Sequence, residues 1–409
     1  MKKKLVSLLA LGMLAGSLAS CTNSGNSGSA SSASSASSAG GDESPVDIAM
    51  ISDVGTINDN GFNQYTWEGT KAAADQLGKK AAYFVPTVST DDERKAGIDA
   101  MLKRGAKAIV LTGYLFNSLV VDYAEKNPSV AWFLIDGSQD VTKSLKNVYS
   151  VEFKEQEAGY LAGYAVVKDG KYKKLGFMGG MAVPAVERFG FGYLKGICDA
   201  ANEDNVDIEV NYGYTGDFTA SEKTQQAASS WYAAGTQVIF SCGGQICNSI
   251  VAAAKKASTT AKLIGVDVNQ HPQQTNDLYI TSAEKKVEKT TKEALLTYFN
   301  QSTLNGQWPD DKASKHVILD STTESVGLPT EKTGDDDPWT FTKFTKDAYK
   351  TIYDKLKADS NYTKVVSDNS SAATMAEPLN NTHVTITMKK IGNSPIENLP
   401  SVTDSSKLK

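Results

Sequence analysis

The stretch Ile51-Ser-Asp-Val-Gly-Thr-Ile-Asn-Asp-Asn-Gly-Phe-Asn-Gln-Tyr-Thr-Trp-Glu-Gly-Thr70 joins an apolar run to a helical pattern through a small, polar loop. The apolar run, Val46–Ile51, predicts a strand. A strand, a polar loop and a helix N-terminus in this order predict a ligand site at the carboxyl edge of a parallel sheet. Phe62 lies near the helix start, where a capping polar residue is commoner. Either its ring is a staple that packs the loop on the helix, or it stacks on a flat ligand beside Asp53 and Asn63.

The first residues have the pattern of a bacterial lipoprotein leader. Lysines at positions 2–4 precede a short apolar run that Leu18-Ala-Ser-Cys21 closes, as in a signal peptide. The final four residues resemble a lipobox, although an ordinary signal peptide with a cysteine by chance is the alternative. We therefore predict a signal peptide over 1–21 with lipidated Cys21, and a flexible Ser/Gly/Ala linker over 22–44. The protein is then expected on the extracytoplasmic side of the cell membrane, held by its lipid alone.

Charge and composition argue against several classes of function. Without the leader lysines, 39 basic residues face 47 acidic ones and no basic cluster stands out, so we expect no nucleic-acid partner. The histidines at 271, 316 and 383 are isolated, and neither a Gly-x-Ser-x-Gly elbow nor a phosphate-loop motif is present. We therefore predict a protein that is not an enzyme and has no metal or cofactor.

Two smaller patterns leave alternatives open. The run Asp335–Asp337 is interpreted as a solvated loop, with weak cation binding as the alternative. Cys242 and Cys247 flank a glycine-rich loop and could form a disulfide outside the cytoplasm.

The remainder of the chain alternates between apolar strand candidates and helix candidates, which is typical of parallel α/β sheets. Two such sets in succession predict two doubly wound lobes with a hinge and an interlobe cleft. We place the first lobe at 45–155 plus about 283–328, and the second at 156–282 plus part of 329–358. Residues 359–409 form a C-terminal extension of unclear role, in which His383–Met388 alternates like an edge strand. Small residues between Ala158 and Gly163 predict a helix face for close packing.

Polar residues follow several predicted strands at their carboxyl ends, the edge where such sheets bind ligands. Asp53, Asp136, the pair Gly243–Gly244, and Asp267 all have this position. Each aspartate could instead be a helix cap or a turn residue, but several at equivalent edges favour a site for a ligand rich in donors. Lys285, near the start of a helix predicted from Glu284, would supply a charged donor unless it faces solvent.

The chain resembles the basic membrane protein family, also called PnrA-like, which comprises substrate-binding lipoproteins of bacterial nucleoside ABC importers. The resemblance covers roughly residues 45–330. It rests on ordered motifs: Asp53-Val-Gly-Thr-Ile-Asn-Asp-Asn-Gly-Phe-Asn-Gln-Tyr-Thr-Trp-Glu-Gly69, Phe133-Leu-Ile-Asp136, Glu155-Gln-Glu-Ala-Gly-Tyr-Leu-Ala-Gly163, Arg188-Phe189 with Gly192, Gly265-Val-Asp267-Val-Asn-Gln270 and Thr281-Ser-Ala-Glu-Lys285. The segment Ser241–Cys247, with its cysteines, and Gly190 depart from the family pattern.

The resemblance implies a type I periplasmic-binding fold that closes on a purine nucleoside of the guanosine, adenosine and inosine class. Phe62 and Phe189 would sandwich the base, Asp136 would bind its edge, and Asp267 and Lys285 would hold the ribose. The lesser contacts implied are Asp53, Asn63 and Gly244. The implied partners are an ABC permease and its ATPase, and we expect a monomer.

Two other functions remain open from the sequence. The same fold could bind a sugar or another small polar metabolite. Alternatively, the chain could be a surface interaction or signalling lipoprotein, which the unmatched C-terminal segment favours.

Overall fold

The computed structural model of the chain describes residues 44–409, apart from 143–144, 258–259, 272–277, 301–314, 333, 335, 360–362, 364, 368–372 and 395–399. The predicted leader and Cys21 lie outside the described residues, as does the predicted linker up to residue 43. Among the residues that are described, no helix is both long enough and apolar enough to cross a membrane.

A six-stranded sheet forms the first lobe. Its strands pair in parallel in the order β11-β5-β4-β3-β1-β2. The strands and the helices around them are β1 (Ile48–Ile51), α1 (Phe62–Leu77), β2 (Ala81–Phe84), α2 (Asp91–Lys103), β3 (Ala108–Thr112), α3 (Asn117–Lys126), β4 (Ala131–Ile135), β5 (Val148–Phe153) and, later in the chain, α8 (Val287–Asn300) and β11 (Lys315–Leu319).

A seven-stranded sheet forms the second lobe, in the order β12-β10-β9-β8-β6-β7-β15. Its pairs are parallel except β10 with β12, which are antiparallel. Its elements are α4 (Glu155–Lys168), β6 (Lys174–Gly179), α5 (Pro184–Asp204), β7 (Ile208–Tyr214), α6 (Glu222–Ala233), β8 (Val238–Cys242), α7 (Ile246–Lys256), β9 (Lys262–Asp267), β10 (Tyr279–Lys285), β12 (Val326–Gly327), α9 (Lys346–Ala358) and β15 (Val384–Met388). A separate hairpin pairs β13 (Val365–Ser367) with β14 (Ala373–Met375).

The central strands carry the core because helices cover both faces of their sheets. β1, β3, β4 and β8 are buried along their whole length. Such strands are near-continuous apolar runs, as parallel sheets require. The parallel order also brings the carboxyl ends of these strands to one edge of each sheet, where the loops form the cleft.

Close packing of α4 on α5 positions one wall of the cleft. A Cβ added at Gly159 would lie 2.2 Å from the carbonyl oxygen of Phe189, and one at Gly163 would lie 2.2 Å from that of Tyr193. The predicted small-residue face is therefore confirmed, because only glycine lets the two backbones approach this closely.

In the last third of the chain, the structure corrects one sequence prediction and confirms another. A helix was expected from Glu284, but β10 continues through Lys285 and α8 begins at Val287. The predicted edge strand His383–Met388 is confirmed as β15, which completes the second sheet by pairing with β7.

Candidate functional site

A cleft of about 700 Å³ lies at the carboxyl ends of the strands, lined by loops from both sheets. The structure brings together all eight residues predicted from the sequence, and each of them lines the cleft: Asp53, Phe62, Asn63, Asp136, Phe189, Gly244, Asp267 and Lys285. Their contact with a ligand stays a prediction.

Lys285 is the charged centre of the cleft. Its side chain is only 3% exposed, so the alternative of a solvent-facing lysine is wrong. Its ammonium forms ion pairs with Asp136, with Glu155 Oε1 at 3.4 Å and with Asp267 Oδ1 at 3.5 Å. Burial alone would lower the pKa of Lys285, but the facing carboxylates raise it above its ordinary value. The side chain therefore remains a fixed cation.

Asp136 follows β4 directly, Asp267 is the last residue of β9, and both have left-handed backbones. Their φ angles are 62° and 67°, a region that aspartate adopts more readily than most residues but still at a cost. The two turns direct carboxylates from opposite sheets at the same ammonium. Burial raises the pKa of Asp136 to about 7, with Glu155 and Asp267 adding to the shift and Lys285 opposing it. Burial likewise raises the pKa of Asp267.

Only one of the two carboxylate oxygens of Asp136 accepts a hydrogen bond from a described residue. Lys285 donates to Oδ2, whereas Oδ1 is buried and has no hydrogen-bond partner within the part of the chain that the structure describes. The residue is 8% exposed and lines the cleft. An unpaired buried acceptor is costly, so this oxygen is available to a donor that enters the cleft.

Sequence reasoning missed two charged residues that support Lys285. Glu155, the fully buried first residue of α4, accepts from Arg188 Nε at 2.6 Å and faces Lys285 with its other oxygen. Arg188 also pairs with Glu152 Oε1 at 3.0 Å. The motifs Glu155–Gly163 and Arg188-Phe189 contained both residues, but a buried ion pair between two helices has no local signal in a sequence.

Aromatic rings from both lobes surround the ammonium. The Lys285 Nζ atom lies 4.6 Å from the ring centroid of Phe62 and 5.8 Å from that of Phe189. Phe189 is nearly buried and packs edge-on against Phe240, whereas Phe62 is half-buried at the first position of α1. A third ring, Phe218, also lines the cleft and was missed, because no motif or periodicity marks its loop.

The loop before α1 uses most of its polar groups internally. Asp59 accepts hydrogen bonds from the backbone amides of Gly61, Asn63 and Gln64, at 2.9, 3.0 and 3.1 Å. Asn63 donates to the carbonyl of Val54 at 2.9 Å and accepts from Thr112 at 2.9 Å. These side chains therefore hold the loop and the helix end.

Asp53 belongs to the same loop. Its Oδ1 accepts from its neighbour's amide, Val54 N, at 2.5 Å. Burial raises the pKa of Asp53 to about 7 and that of Asp59 to about 6, against the backbone hydrogen bonds that stabilise the carboxylates.

The glycine-rich loop after β8 forms the opposite wall. Gly244 has a φ of 52° and lies just after the end of β8, as the sequence predicted. Cys242 lines the cleft, and both Cys242 and Cys247 are buried free thiols. The structure therefore contradicts the hypothesis of a disulfide between them.

Two neutral hydrogen bonds cross the mouth of the cleft. Gln245 Nε2 donates to Thr56 Oγ1 at 3.3 Å, and Gln270 Nε2 donates to the carbonyl of Asn60 at 2.8 Å. The carboxamide oxygen of Gln270 accepts from the amide of Val266, which fixes its orientation. The loops of the two sheets thus contact each other over the cavity.

No group of three potential metal-ligating side chains occurs among the described residues. In the acidic run, Asp335 lies outside those residues. Asp336 pairs with His271 at 2.7 Å and Asp337 with Lys332 at 3.1 Å. These pairings give the alternative of weak cation binding no support.

The family model and the related proteins agree on one family. The model of the family described as ABC transporter substrate-binding protein PnrA-like matches residues 46–333. The ABC transporter nucleoside-binding protein BmpA of Lactococcus lactis is 29% identical over 230 residues, covering 54% of this chain and 64% of that protein. A CD4+ T-cell-stimulating antigen of Listeria innocua is 31% identical over 242 residues, covering 56% and 66%. The alignments thus span just under two thirds of the length of these relatives.

Solved structures resemble the fold. A solute-binding protein of an ABC transporter system from Aeropyrum pernix superposes with a TM-score of 0.65 at 23% identity, covering 80% of this chain and 94% of that one. A second, from Conexibacter woesei, gives a TM-score of 0.57 at 20% identity, covering 76% and 96%. At these identities the likeness concerns the fold alone.

Proposed function

Because the chain belongs to the PnrA-like family of ABC transporter substrate-binding proteins, we propose that it captures a purine nucleoside in its cleft and delivers it to a membrane permease. The family resemblance and the type I periplasmic-binding fold predicted from the sequence are confirmed. The nucleoside, the permease and the lipid anchor belong to the proposal.

The main support for this proposal is the Oδ1 atom of Asp136, which has no hydrogen-bond partner among the described residues. A buried carboxylate oxygen that lacks a donor among the described residues, on a side chain that lines a cavity, favours a ligand with N–H or O–H groups. A purine edge supplies ring and exocyclic N–H donors, and a charge-assisted hydrogen bond to a carboxylate is stronger than a neutral one. Asp136 therefore takes the edge of the base in this proposal.

The other predicted residues take complementary parts. Phe62 and Phe189 stack on the faces of the base, since both rings border the cleft beside Lys285. Base–aromatic stacking is worth about 1–3 kcal/mol per base in proteins that bind single strands. Asp267 and Lys285 hold the ribose hydroxyls. Asp53, Asn63 and Gly244 are lesser contacts. Because the Asn63 carboxamide already bonds to Val54 and Thr112, we propose that this residue acts mainly by holding the loop in place.

The wider assignment rests on the family and the leader. We propose a binding component without enzymatic activity, anchored by lipidated Cys21 on the extracytoplasmic side of the membrane, with a permease and an ATPase as partners. The division into lobes at 45–155 plus about 283–328 and 156–282 plus part of 329–358 is part of the same proposal, but β12 (Val326–Gly327) and β15 (Val384–Met388) both pair within the second sheet. The pairing of β10 with β9 supports a boundary near Lys285.

Calorimetric titration of the secreted domain with guanosine, adenosine, inosine, cytidine and ribose tests the ligand class. We expect the purine nucleosides to bind and ribose alone to bind weakly or not at all. The Phe62→Ala variant should lose at least tenfold in nucleoside affinity, because a stacking face is removed. Phe299→Ala, which changes another half-buried ring outside the cleft, serves as the matched control and should bind normally.

Failure of every nucleoside to bind at high micromolar concentration would rule out the proposal. Binding of ribose alone, unaffected by Phe62→Ala, would support the sugar alternative instead.

A further inference from the structure

The C-terminal segment that follows the family match joins the sheet beside the ligand cleft. The family model ends at residue 333, yet β15 pairs with β7 from Val384↔Ile208 to Met388↔Tyr212. The chain then continues along β7, where Lys389 N donates to the carbonyl of Tyr212 at 2.7 Å. The tail is therefore part of the sheet whose next loop borders the cleft.

Ile391 and Ser394 fix this tail at the end of β7. Ile391 is 2% exposed and belongs to the apolar cluster that includes Trp231 and Ile246. Ser394 is also buried, and its hydroxyl donates to the carbonyl of Thr215.

The same carbonyl of Thr215 accepts from Lys223 Nζ at 2.9 Å. A Cβ added at Gly216, which has a φ of 81°, would lie 2.4 Å from Ser394 Oγ. Tail and loop are therefore in direct contact at this turn.

The loop held by Ser394 carries Phe218 into the cleft. Thr215 Oγ1 donates to the carbonyl of Asp217 at 2.8 Å, and the next residue, Phe218, lines the cavity. The Phe218 ring covers Gly180, where an added Cβ would lie 2.3 Å from it. The carbonyl of Phe218 accepts from the amide of Gln245 at 2.9 Å, which ties this wall to the glycine-rich loop.

We propose that the C-terminal tail, through Ser394, positions Phe218 and so determines how tightly the cleft holds its ligand. Ser394 is a positioning residue in this proposal, since it contacts the loop and not the cavity. Its effect on binding therefore has to pass through Phe218. The ligand arm of the test rests on the proposed nucleoside function, whereas the structural arm does not.

The structural arm measures amide hydrogen exchange in the ligand-free protein. Ser394→Ala should speed exchange of the Gly216 and Gln245 amides about tenfold, because the carbonyls that they donate to, of Gly180 and Phe218, flank the released loop. Ser406→Ala is the matched control. It removes another tail hydroxyl, whose hydrogen bond goes to Asp404 two residues away, and it should leave both amides unchanged.

The ligand arm is a double-mutant cycle with guanosine as the probe. We expect Ser394→Ala to weaken guanosine binding about fivefold in the parent chain and to have no effect in a Phe218→Ala background. Unchanged exchange, or a loss of affinity equal in both backgrounds, would overturn the proposal. If the parent chain does not bind guanosine, that result counts against the nucleoside proposal, and the exchange measurement decides on the tail.

Discussion

The cleft holds two pairs of buried aspartates that look alike in the sequence and differ in the structure. Asp53 and Asp59 lie in the loop before α1, where backbone amides satisfy them. Asp136 and Asp267 end strands of opposite sheets and face one ammonium, that of Lys285. The loop pair is fixed by its own segment, whereas the strand-end pair depends on a residue far away in the chain.

This difference separates structural carboxylates from those available to a ligand. A carboxylate that caps a helix has used its acceptors on amides that would otherwise lack partners. Asp136 shares its negative charge with a lysine but keeps one oxygen unpaired among the described residues. Position at a strand end is therefore a weaker indicator of binding than an acceptor left without a donor.

The largest expected effect comes from removing the cation that the strand-end pair shares. Lys285→Met leaves Asp136, Asp267 and Glu155 without their common partner, and breaking a buried ion pair on one side costs on the order of 3 kcal/mol. Urea unfolding at pH 7 measures the change. The neighbouring Lys286→Met is the control, since the Lys286 side chain is half-exposed, although its ion-pair partner Glu284 is buried.

We expect a smaller loss for Lys286→Met than for Lys285→Met, because water reaches the half-exposed Lys286 side chain whereas that of Lys285 is buried. Equal losses in the two variants would mean that the strand-end pair does not depend on Lys285.

The next, smaller effect is on ligand affinity, and it distinguishes the strand-end aspartates from the loop aspartates. Asp136→Asn removes the charge of the unpaired acceptor and should weaken purine nucleoside binding by about 10–100-fold, since hydrogen bonds to charged groups contribute about 1.5–3 kcal/mol. Asp59→Asn should change the affinity by less than about threefold, because its acceptors serve the α1 amides. Calorimetry compares the two, and a greater loss for Asp59→Asn would reverse our assignment.

The smallest effect concerns pH and the loop pair. Burial raises the pKa of Asp53 from 3.8 to about 7, with the Asp59 carboxylate adding to the shift and the Arg94 guanidinium opposing it. The folded protein therefore binds this proton more tightly than the unfolded chain does, and its contribution to stability falls as the pH rises from about 4 to about 7.

Asp53→Asn removes this dependence, so the variant should gain stability relative to the parent as the pH rises from 4 to 8, with most of the gain below pH 7. Urea unfolding at the two pH values measures the gain. A difference that stays constant with pH would show that folding does not shift the pKa of Asp53.

Local patterns predicted much of this fold, because apolar strands and their polar ends are properties of short segments. Asp136, for example, directly follows β4 (Ala131–Ile135), at the strand-end position predicted for it. Lys285 was assigned to a helix because a buried strand that ends in Glu-Lys contradicts the usual pattern. Its burial depends on Asp136 and Glu155, which are 149 and 130 residues away.

The tail illustrates the same limit. The alternation in His383–Met388 indicated a strand, but the choice of β7 as its partner depends on tertiary contacts. The contact between Ser394 and the Phe218 loop is equally non-local. The possibility that Cys242 pairs with Cys247, which the sequence left open, is contradicted because both are free thiols.

The contacts at the mouth of the cleft have a kinetic consequence. Gln245 and Gln270 close it with neutral side-chain hydrogen bonds to Thr56 and to the backbone of Asn60, each worth about 1 kcal/mol net. Beside the buried ion pair of Lys285 with Asp136, which also joins the two sheets, bonds of this strength add little to the closed form. Under the proposed function, a bound nucleoside supplies much of the remaining closing energy, so its departure lets the lobes reopen for the next molecule.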